Sequence, residues 1–475
     1  MKTFLRLFLW VSVSLGATSA AESIPNILFV LADDMGYGDL GANNPKSKIP
    51  TPNLDQLAAS GMRFTDAHAG GSVCVPSRYA LLTGRFSARA AMDVGRAPVI
   101  EEGRMTIASL LKLRGYTTAM VGKWHQGFDM LPGGDRNEFD YSKPLTGGPA
   151  DRGFQSYFGM HASLDIPPYF FIRDRDPLMP PTETVEAKSS VGGPEGWNQI
   201  QGAFWREGLV APDFKHDEVT PRFATEAMRV IQSYGAGEKE KPLFLYVALP
   251  SPHTPWLPLE RFRGKSGAGM YGDFVMQVDD VVGQVLASLD AAGIAKDTLV
   301  FFSSDNGPVW YDKDREKFGH DAVGGLRGMK GQAYEGGHRM PFLARWPGKV
   351  TPGSVCEQTI AFSDVFATFA ELVDTQIPAG NGEDSVSFLP YLLDSTKAPT
   401  PRAPIVHSDK VLRDGDWKLI LPRRQRELGG GKGSKQVPTE LYNLRDDLAE
   451  TTNLFSQESD RAEKMEEMLE AILAH

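Results

Sequence analysis

Acidic and amide side chains directly follow two apolar, strand-like segments of the chain. Asp33 and Asp34 come after residues 26–32, and Asp305 and Asn306 end a second apolar run. Because the carboxyl ends of parallel strands meet at one edge of a sheet, we expect these side chains to lie close together. Carboxylate and amide oxygens are the ligands that hard cations prefer, so the pattern predicts a Ca²⁺ or Mg²⁺ site. Two Asp-rich turns without a ligand are the alternative interpretation.

Two other features of the sequence bear on this prediction. The glycines Gly36, Gly38 and Gly41 have the G-x-G-x-x-G spacing of a dinucleotide-binding turn. Two carboxylates immediately before that turn would repel a pyrophosphate, and no acidic residue ends a second strand at the expected distance, so the match is weak evidence. The sequence also shows no local cluster of Cys and His, which argues against a structural zinc site.

Four basic or titratable residues stand at comparable positions. Lys123 and His125 follow the apolar run of residues 116–121 and, being two apart, point to the same side of an extended chain. A cation beside a titratable base suits charge stabilisation combined with proton transfer. His253 lies between prolines and Lys330 in a glycine-dense loop. An ordinary surface lysine and a hydrogen-bonded histidine explain Lys123 and His125 equally well. Taken singly, His253 is better explained by a structural role, and Lys330 is weak evidence.

These residues require a layered α/β architecture to bring them together. The strand-like runs at residues 26–32, 116–121, 243–249 and 298–303 are continuous and apolar, as in strands buried on both faces of a parallel sheet. Helical patterns separate them, so the sequence predicts an α/β fold with a mostly parallel sheet between helices. A change of texture after residue 385 predicts a smaller C-terminal α+β subdomain with an antiparallel sheet and a terminal helix.

The chain contains only two cysteines, Cys74 and Cys356, and begins like an exported protein. Residues 1–20 combine an early positive charge, a short apolar run and small residues, which predicts a signal peptide rather than a membrane anchor, and a periplasmic or secreted location. No later segment is long and apolar enough to predict a membrane span. An exported chain with two cysteines favours a disulfide on general grounds.

The net charge of −10 disfavours nucleic acid as a partner.

The surroundings of Cys74 change that interpretation. Residues 74–84 read CVPSRYALLTG, which matches the pattern C-x-P-S-R-x-x-x-L-T-G at every defined position. The chain resembles the type I sulfatases of the alkaline phosphatase superfamily, and the resemblance extends from about residue 25 to 454. It includes the following segments in the family's order: NILFVLADDMGYGDLG, TPNLDQLA, GKWH, PHTPW, SDNG, KGQAYEGGHRMP and LYNLRDDLAETTNL.

The resemblance implies a fold, a modified residue and a reaction. It implies an alkaline-phosphatase-like domain at residues 21–385 and a C-terminal subdomain at residues 386–475. It also implies that a formylglycine-generating enzyme oxidises Cys74 to formylglycine, which removes Cys74 as a disulfide partner. The hydrated aldehyde of formylglycine attacks the sulfur of a sulfate ester, and its second hydroxyl allows sulfate to be eliminated afterwards. The implied substrate is a sulfated carbohydrate, and the implied cation is Ca²⁺, with Mg²⁺ as the alternative.

The same resemblance implies roles for individual residues. The cation would be held by Asp33, Asp34, Asp305, Asn306 and the modified residue 74. Arg78 and Lys123 would stabilise the charge of formylglycine and sulfate, His125 would assist elimination, and His253 and Lys330 would contact sulfate and protonate the leaving oxygen. The departures from the family pattern are slight: Gln126 stands where Leu is common after GKWH, and members differ at His338.

Substrate recognition is the least constrained part of the prediction. The candidate substrate-binding residues are His161, Asp165, Tyr169, His320 and His338. The first three lie in a long insertion between the GKWH and PHTPW strands, and loops of that kind often carry specificity. Asp165 could bind a sugar hydroxyl and Tyr169 could stack on a sugar ring, although packing within the loop explains them equally well. We expect sulfated galactose or N-acetylgalactosamine; a phosphoesterase of the same superfamily and a non-catalytic glycan-binding relative are the alternatives.

Overall fold

The computed structural model describes residues 24–93, 95–237, 240–426 and 434–474. The predicted signal peptide and the glycine-rich stretch at residues 429–433 lie outside these ranges. Within them, no helix combines the length and the apolar composition that crossing a bilayer requires.

The secondary structure alternates strands and helices along most of the chain. The strands are β1 Asn26–Asp33, β2 Met62–Phe64, β3 Ala67–His68, β4 Thr117–Lys123, β5 Ser156–Met160, β6 Ile172–Arg173, β7 Asp176–Pro177, β8 Glu183–Val185, β9 Gly208–Val210, β10 Leu243–Pro252, β11 Thr298–Ser304, β12 Phe342–Arg345, β13 Ser354–Cys356, β14 Ile360–Ala361, β15 Ile405–Ser408, β16 Val411–Asp414, β17 Trp417–Ile420, β18 Arg423–Arg426, β19 Ser434–Val437 and β20 Glu440–Asn443. The α-helices are α1 Pro52–Ala59, α2 Cys74–Thr83, α3 Ile107–Leu113, α4 Val219–Ala236, α5 Gly269–Ala291, α6 Asp312–Phe318, α7 Glu335–His338, α8 Asp364–Leu372, α9 Leu389–Leu393 and α10 Ser459–Leu473.

The large sheet has the strand order β13-β2-β12-β11-β1-β10-β4-β5-β6-β7. Its centre, β11-β1-β10-β4-β5, is parallel, and β12 joins β11 antiparallel. Every residue of β1, β10 and β11 is buried, which explains why these strands are continuously apolar instead of alternating. The four apolar runs of the sequence are therefore four adjacent strands of one sheet, and the predicted α/β class is confirmed.

Helices cover the sheet and complete the main core. The helices α1, α4 and α5 pack together, with α4 and α5 on β10, whereas α2 and α3 pack with α8. Their apolar stripes were visible in the sequence: Phe223, Ala227 and Ile231 of α4 are fully buried. Gly115, two residues after the end of α3, adopts a positive φ of 86°, a conformation that favours glycine and ends the helix.

The C-terminal region forms a second, smaller layer. The strands β15, β16, β17 and β20 make an antiparallel sheet, and α10 packs on β16 and β17 through Ala462, Met465 and Leu469. The antiparallel sheet and terminal helix of the predicted fold are thus present. Phe388 and Leu389, just after the predicted boundary at residue 386, belong to the main core.

The glycine-rich turn after β1 has a packing role. A Cβ atom on Gly36 would lie 2.0 Å from the carbonyl oxygen of Ala322, and one on Gly38 would lie 2.2 Å from that of Asp321. These glycines allow two backbone segments to approach closely, which also holds the start of the loop that bears Lys330 beside the end of β1. This explains the G-x-G-x-x-G spacing without a nucleotide.

Candidate active site

The carboxyl edge of the parallel sheet gathers the residues that the sequence pointed to. Asp33 ends β1, Lys123 ends β4, and His253 and Asp305 directly follow β10 and β11. Parallel pairing in register brings these four strand ends side by side. Loops and the start of α2 add the remaining members of the site.

Three carboxylates and three basic groups form a buried, charge-balanced cluster at this edge. Lys123 Nζ lies 2.5 Å from Asp33 Oδ2, and both side chains have no exposed surface. Arg78 Nε lies 2.8 Å from Asp305 Oδ2, and its Nη2 lies 3.6 Å from Asp33. Burial alone would raise the pKa of Asp33, but Lys123, His253 and Arg78 together lower it. The carboxylate of Asp33 is therefore held ionised.

Cys74 is the first residue of α2 and faces this cluster. Arg78 stands one turn later in the same helix, so the two side chains lie on one face. The Sγ atom of Cys74 and carboxylate oxygens of Asp33 and Asp305 lie within 4.8 Å of one another. Burial raises the pKa of the thiol. Both Cys74 and Cys356 are free thiols.

The oxygen atoms of the cluster fit a hard cation. Asp33 Oδ1 and Asn306 Oδ1 are buried and have no hydrogen-bond partner among the described residues. Asn306 Nδ2 donates a hydrogen bond of 2.6 Å to Asp34 Oδ1, which turns the amide oxygen away from Asp34. Burial and the adjacent Asp33 raise the pKa of Asp305, as expected where carboxylates crowd together. Crowded carboxylates with unpartnered oxygens are what Ca²⁺ or Mg²⁺ coordination requires.

The two histidines of the site differ in their surroundings. Burial, Lys123 and Arg78 lower the pKa of His125 well below its ordinary value of 6.5, so its ring is neutral and can accept a proton. His125 also has a positive φ of 53°, as does Asp34 with 67°, and strained backbone of this kind clusters at functional sites. His253 Nε2 lies 3.8 Å from Asp34 Oδ2.

Lys330 reaches the cluster from the glycine-dense loop. Its Nζ lies 2.6 Å and 2.8 Å from the two carboxylate oxygens of Asp34. Burial opposes the charge, but Asp34 outweighs it and raises the pKa of Lys330, so the ammonium group stays charged. Gly331 N donates to the carbonyl oxygen of Ser72 over 2.8 Å, which ties the loop to the segment preceding Cys74.

Among the substrate-binding candidates, Asp165 brings a carboxylate close to His253, and the carbonyl oxygen of His161 accepts a hydrogen bond of 3.0 Å from the backbone N–H of His125. Asp165 Oδ1 is 4.0 Å from His253 Nδ1 and has no hydrogen-bond partner within the described chain, whereas Oδ2 pairs with Arg206 over 2.5 Å. The guanidinium of Arg206 is half exposed. Arg206 carried no signal in the sequence because its partner lies 41 residues away.

The other four candidates use their polar atoms inside the protein. The hydroxyl of Tyr169 donates to the carbonyl oxygen of Arg206 over 2.8 Å, and the ring is buried. His161 Nε2 contacts the carbonyl oxygen of Pro168 at 2.8 Å, and its ring stacks on Phe170. The substrate-binding assignments of these two residues stay predictions.

His320 and His338 lie in separate buried networks. His320 Nε2 is 2.7 Å from Asp39 Oδ1, and Tyr271, which also bonds Asp39, donates to the backbone oxygen of Asp34 over 3.1 Å. His320 is thus linked through Asp39 and Tyr271 to the backbone of Asp34. His338 has no exposed surface and contacts other histidines. The predicted substrate contacts of both residues are untested.

The fold is of the alkaline-phosphatase-like class. A solved phosphonate monoester hydrolase of Agrobacterium radiobacter shares the fold, with a TM-score of 0.57 at 19% identity over 95% of each chain. A solved 6S-sulfatase from the glycosaminoglycan metabolism of Bacteroides thetaiotaomicron matches with a TM-score of 0.81 and 28% identity, covering 95% of this chain and 99% of that one.

Sequence comparison specifies the family. Residues 25–375 match the Sulfatase family, so the chain belongs to the sulfatases and is a sulfuric ester hydrolase. It is 33% identical to the N-acetylgalactosamine-6-O-sulfatase of Bacteroides thetaiotaomicron, over 94% of this chain and 93% of the relative. It is 36% identical to arylsulfatase A of Bos taurus, over 82% of this chain and 72% of that protein. The family resemblance noted in the sequence is confirmed.

Proposed function

We propose that this sulfatase removes sulfate from a galactose or N-acetylgalactosamine unit of a sulfated carbohydrate, with the 6-sulfate as its primary target. The observation that carries the proposal is the convergence of Cys74, Arg78 and Lys123 on the buried carboxylates of Asp33 and Asp305. The choice of sugar is supported by the relatives that are named N-acetylgalactosamine-6-sulfatases, from a bacterium and from mammals.

Cys74 is the residue that we propose for maturation to formylglycine by a partner enzyme. The aldehyde hydrate supplies, when present, a hydroxyl nucleophile for sulfur and a second hydroxyl that permits elimination. Position 74 suits this role because it opens α2 close to the carboxylates of Asp33 and Asp305, with the guanidinium of Arg78 one turn later in the same helix. The helix N-terminus adds partial positive charge beside the reacting oxygens.

A divalent cation, for which we propose Ca²⁺, would be held by Asp33, Asp34, Asp305 and Asn306. Bound there, it would acidify the attacking hydroxyl and neutralise sulfuryl charge. The unpartnered oxygens of Asp33 and Asn306 are the atoms available for it. The basic groups that pair with the carboxylates in this structure, Lys123 among them, would then be able to turn toward sulfate.

The remaining residues of the site would move protons and orient the ester. Arg78, Lys123 and Lys330 carry fixed positive charge in a buried setting, where charge stabilisation of a transition state is strongest. His253 and Lys330 stand on the Asp34 side of the site and would protonate the leaving oxygen. His125, whose ring is neutral, would accept the proton whose removal expels sulfate.

Asp165 is the residue that we propose to contact the sugar. Its Oδ1 atom has no hydrogen-bond partner within the described residues, so it could accept a hydrogen bond from a sugar hydroxyl when the sulfate sits at Cys74. This atom lies 4.0 Å from His253 Nδ1, which itself contacts the carbonyl oxygen of Thr254 over 2.7 Å. Arg206 holds the other carboxylate oxygen and fixes the orientation of Asp165.

We also propose export after removal of residues 1–20, and the division into domains at residues 21–385 and 386–475.

The proposal is tested by measuring inorganic sulfate released from a panel of defined sugars. The panel contains N-acetylgalactosamine 6-sulfate, its 4-sulfate, galactose 6-sulfate, an aryl sulfate and an aryl phosphate. We expect the 6-sulfated sugars to give the highest kcat/KM, and Asp165→Asn to lower it for the sugars while sparing the aryl sulfate. Dominant phosphate release would favour a phosphoesterase, and tight sugar binding without sulfate release by matured enzyme would favour a binding protein; either result would overturn the proposal.

A further inference from the structure

The segment that carries Lys330 into the active site has its base against the C-terminal subdomain. We call residues 327–335 the Lys330 loop. The backbone N–H of Gly336 donates to the carbonyl oxygen of Arg327 over 2.7 Å, which closes the base of the loop. From the middle of the loop, Lys330 Nζ reaches the carboxylate of Asp34. The groups that hold the base therefore bear on where the ammonium group lies.

The backbone on either side of Lys330 has little conformational preference of its own. Gly328 and Gly331 adopt positive φ angles of 82° and 77°. Glycine lacks the Cβ atom that restricts other residues, so these two positions leave the loop free to take other paths. Two backbone hydrogen bonds hold the tip: the N–H of Lys330 donates to Pro308 over 3.0 Å, and the N–H of Gly331 donates to Ser72 over 2.8 Å. Contacts at the base add to this restraint.

Arg327 joins the two ends of the Lys330 loop to each other. Its guanidinium carbon lies 3.8 Å from the centre of the Tyr334 ring, which is a cation–π contact. Its Nη2 atom also donates to the hydroxyl of Tyr334 over 3.1 Å. The same hydroxyl donates to Glu440 Oε2 of β20 over 2.9 Å. One guanidinium group thus connects the start of the loop, its end and the C-terminal sheet.

Two further residues of the C-terminal subdomain accept hydrogen bonds from the loop. Arg327 Nη1 donates to the hydroxyl of Tyr442 over 2.9 Å and to the carbonyl oxygen of Glu450 over 2.7 Å. The side chain of Glu450 accepts the backbone N–H of Glu335 through Oε2, over 2.7 Å. Tyr442 and Glu450 are both buried. Glu450 therefore binds the first and the last residue of the loop.

We propose that Arg327 is a positioning residue for Lys330, through which the C-terminal subdomain acts on the reaction. The inference rests on the role of Lys330 at the sulfate ester, which belongs to the proposed function. A guanidinium suits the task because its donors have a fixed, planar arrangement, whereas a lysine ammonium is a point charge on a flexible stem. Displacing a group of the active site by about 1 Å can lower the rate by about 100-fold. Arg327 acts through Lys330 and not by touching the ester.

A purely structural role for Arg327 is the competing interpretation. The two backbone hydrogen bonds of the tip would then be sufficient to hold Lys330, and Arg327 would only attach the C-terminal sheet to the main domain. In that case the loss of Arg327 would lower the amount of folded enzyme, whatever residue stands at position 330. Under the positioning role, the loss of Arg327 matters only while the lysine is present. A double-mutant cycle separates the two interpretations.

The experiment measures kcat/KM of the matured enzyme for an aryl sulfate in four variants: the wild type, Arg327→Met, Lys330→Met and the double variant. Methionine at position 327 retains an unbranched stem and removes every donor. We expect Arg327→Met to lower kcat/KM by about 100-fold when Lys330 is present. When position 330 is already methionine, the further loss should be less than about threefold. Arg327→Lys should recover only part of the activity, because it restores the charge without the planar fork.

The matched control is Arg461→Met. The guanidinium of Arg461 also lies over an aromatic ring of the C-terminal subdomain, 4.2 Å from the centre of the Trp417 ring, but Arg461 belongs to α10. This substitution should lower kcat/KM in neither background. Urea unfolding of every variant shows how much of any loss comes from unfolded protein.

Equal losses from Arg327→Met with and without Lys330 would overturn the proposal and establish the structural role, and an unchanged kcat/KM would overturn it as well. A Lys330→Met enzyme within about tenfold of the wild type would refute the role of Lys330 itself, and this inference with it. Should Arg327→Met fail to fold, Tyr442→Phe removes only one acceptor of Arg327. Tyr442→Phe should lower kcat/KM by a smaller factor, and only while Lys330 is present; a loss of the same size in Lys330→Met would contradict the proposal.

Discussion

Replacing Lys123 by methionine tests the electrostatic account of the active site. The substitution keeps the length of the side chain and removes the charge that lies 2.5 Å from Asp33 Oδ2. Asp33 would retain Arg78, whose Nη2 is 3.6 Å away, together with the more distant charges of His253 and Lys330. Loss of one partner of a buried ion pair lowers the free energy of unfolding by about 3–5 kcal/mol. Because Asp33 keeps its contact with Arg78, we expect a loss at the lower end of this range, about 3 kcal/mol.

The same substitution should impair catalysis by removing a fixed positive charge from the sulfate site. Loss of one such group typically lowers kcat by about 10²–10³-fold. Because a bound cation would compensate the orphaned Asp33, saturating Ca²⁺ should recover part of the stability of Lys123→Met but not its kcat.

The assay combines urea unfolding with and without Ca²⁺ and steady-state turnover of an aryl sulfate. The matched control is Lys215→Met, which removes an exposed lysine paired with Glu218 over 2.8 Å and should change neither measurement. A kcat of Lys123→Met within tenfold of the wild type would refute the role in catalysis. A stability loss that Ca²⁺ leaves unchanged would refute the assignment of Asp33 to the cation.

Three further predictions concern the nucleophile, the base and the cation. Cys74→Ser should complete at most one turnover, because a serine sulfate ester lacks the hydroxyl needed for elimination; sustained turnover in a burst experiment would contradict this. Burial lowers the pKa of His125, so its proton-accepting form persists as pH falls. The fall of kcat at low pH should therefore have its midpoint below the ordinary histidine value of 6.5, and His125→Ala should alter this part of the profile. A midpoint above 6.5 would count against His125. Chelation should abolish turnover and Ca²⁺ should restore it, with weaker restoration in Asn306→Ala; activity that survives complete chelation would exclude the proposed cation.

The sequence predicted the strands that carry the site because their burial leaves a local signature. The apolar runs before Asp33, Lys123, His253 and Asp305 became the adjacent strands β1, β4, β10 and β11. Their order in the sheet and the antiparallel β12 had no such signature, since pairing depends on contacts between distant segments.

Sequence patterns could not predict which groups the individual side chains contact. The hydroxyl of Tyr169 bonds the backbone of Arg206, and His320 contacts Asp39, whereas the stacking of Tyr169 on a sugar ring stays a prediction. Each contact joins residues far apart in the chain, so neither periodicity nor spacing could reveal it.

Mass spectrometry of the tryptic peptide of residues 64–78 tests the central claim most directly. The protein should be produced together with a formylglycine-generating enzyme, and the peptide contains Cys74 and ends at Arg78. The account predicts a mass shift that matches replacement of the thiol by an aldehyde, in proportion to sulfatase activity across preparations. An active preparation whose peptide carries only unmodified cysteine would contradict it.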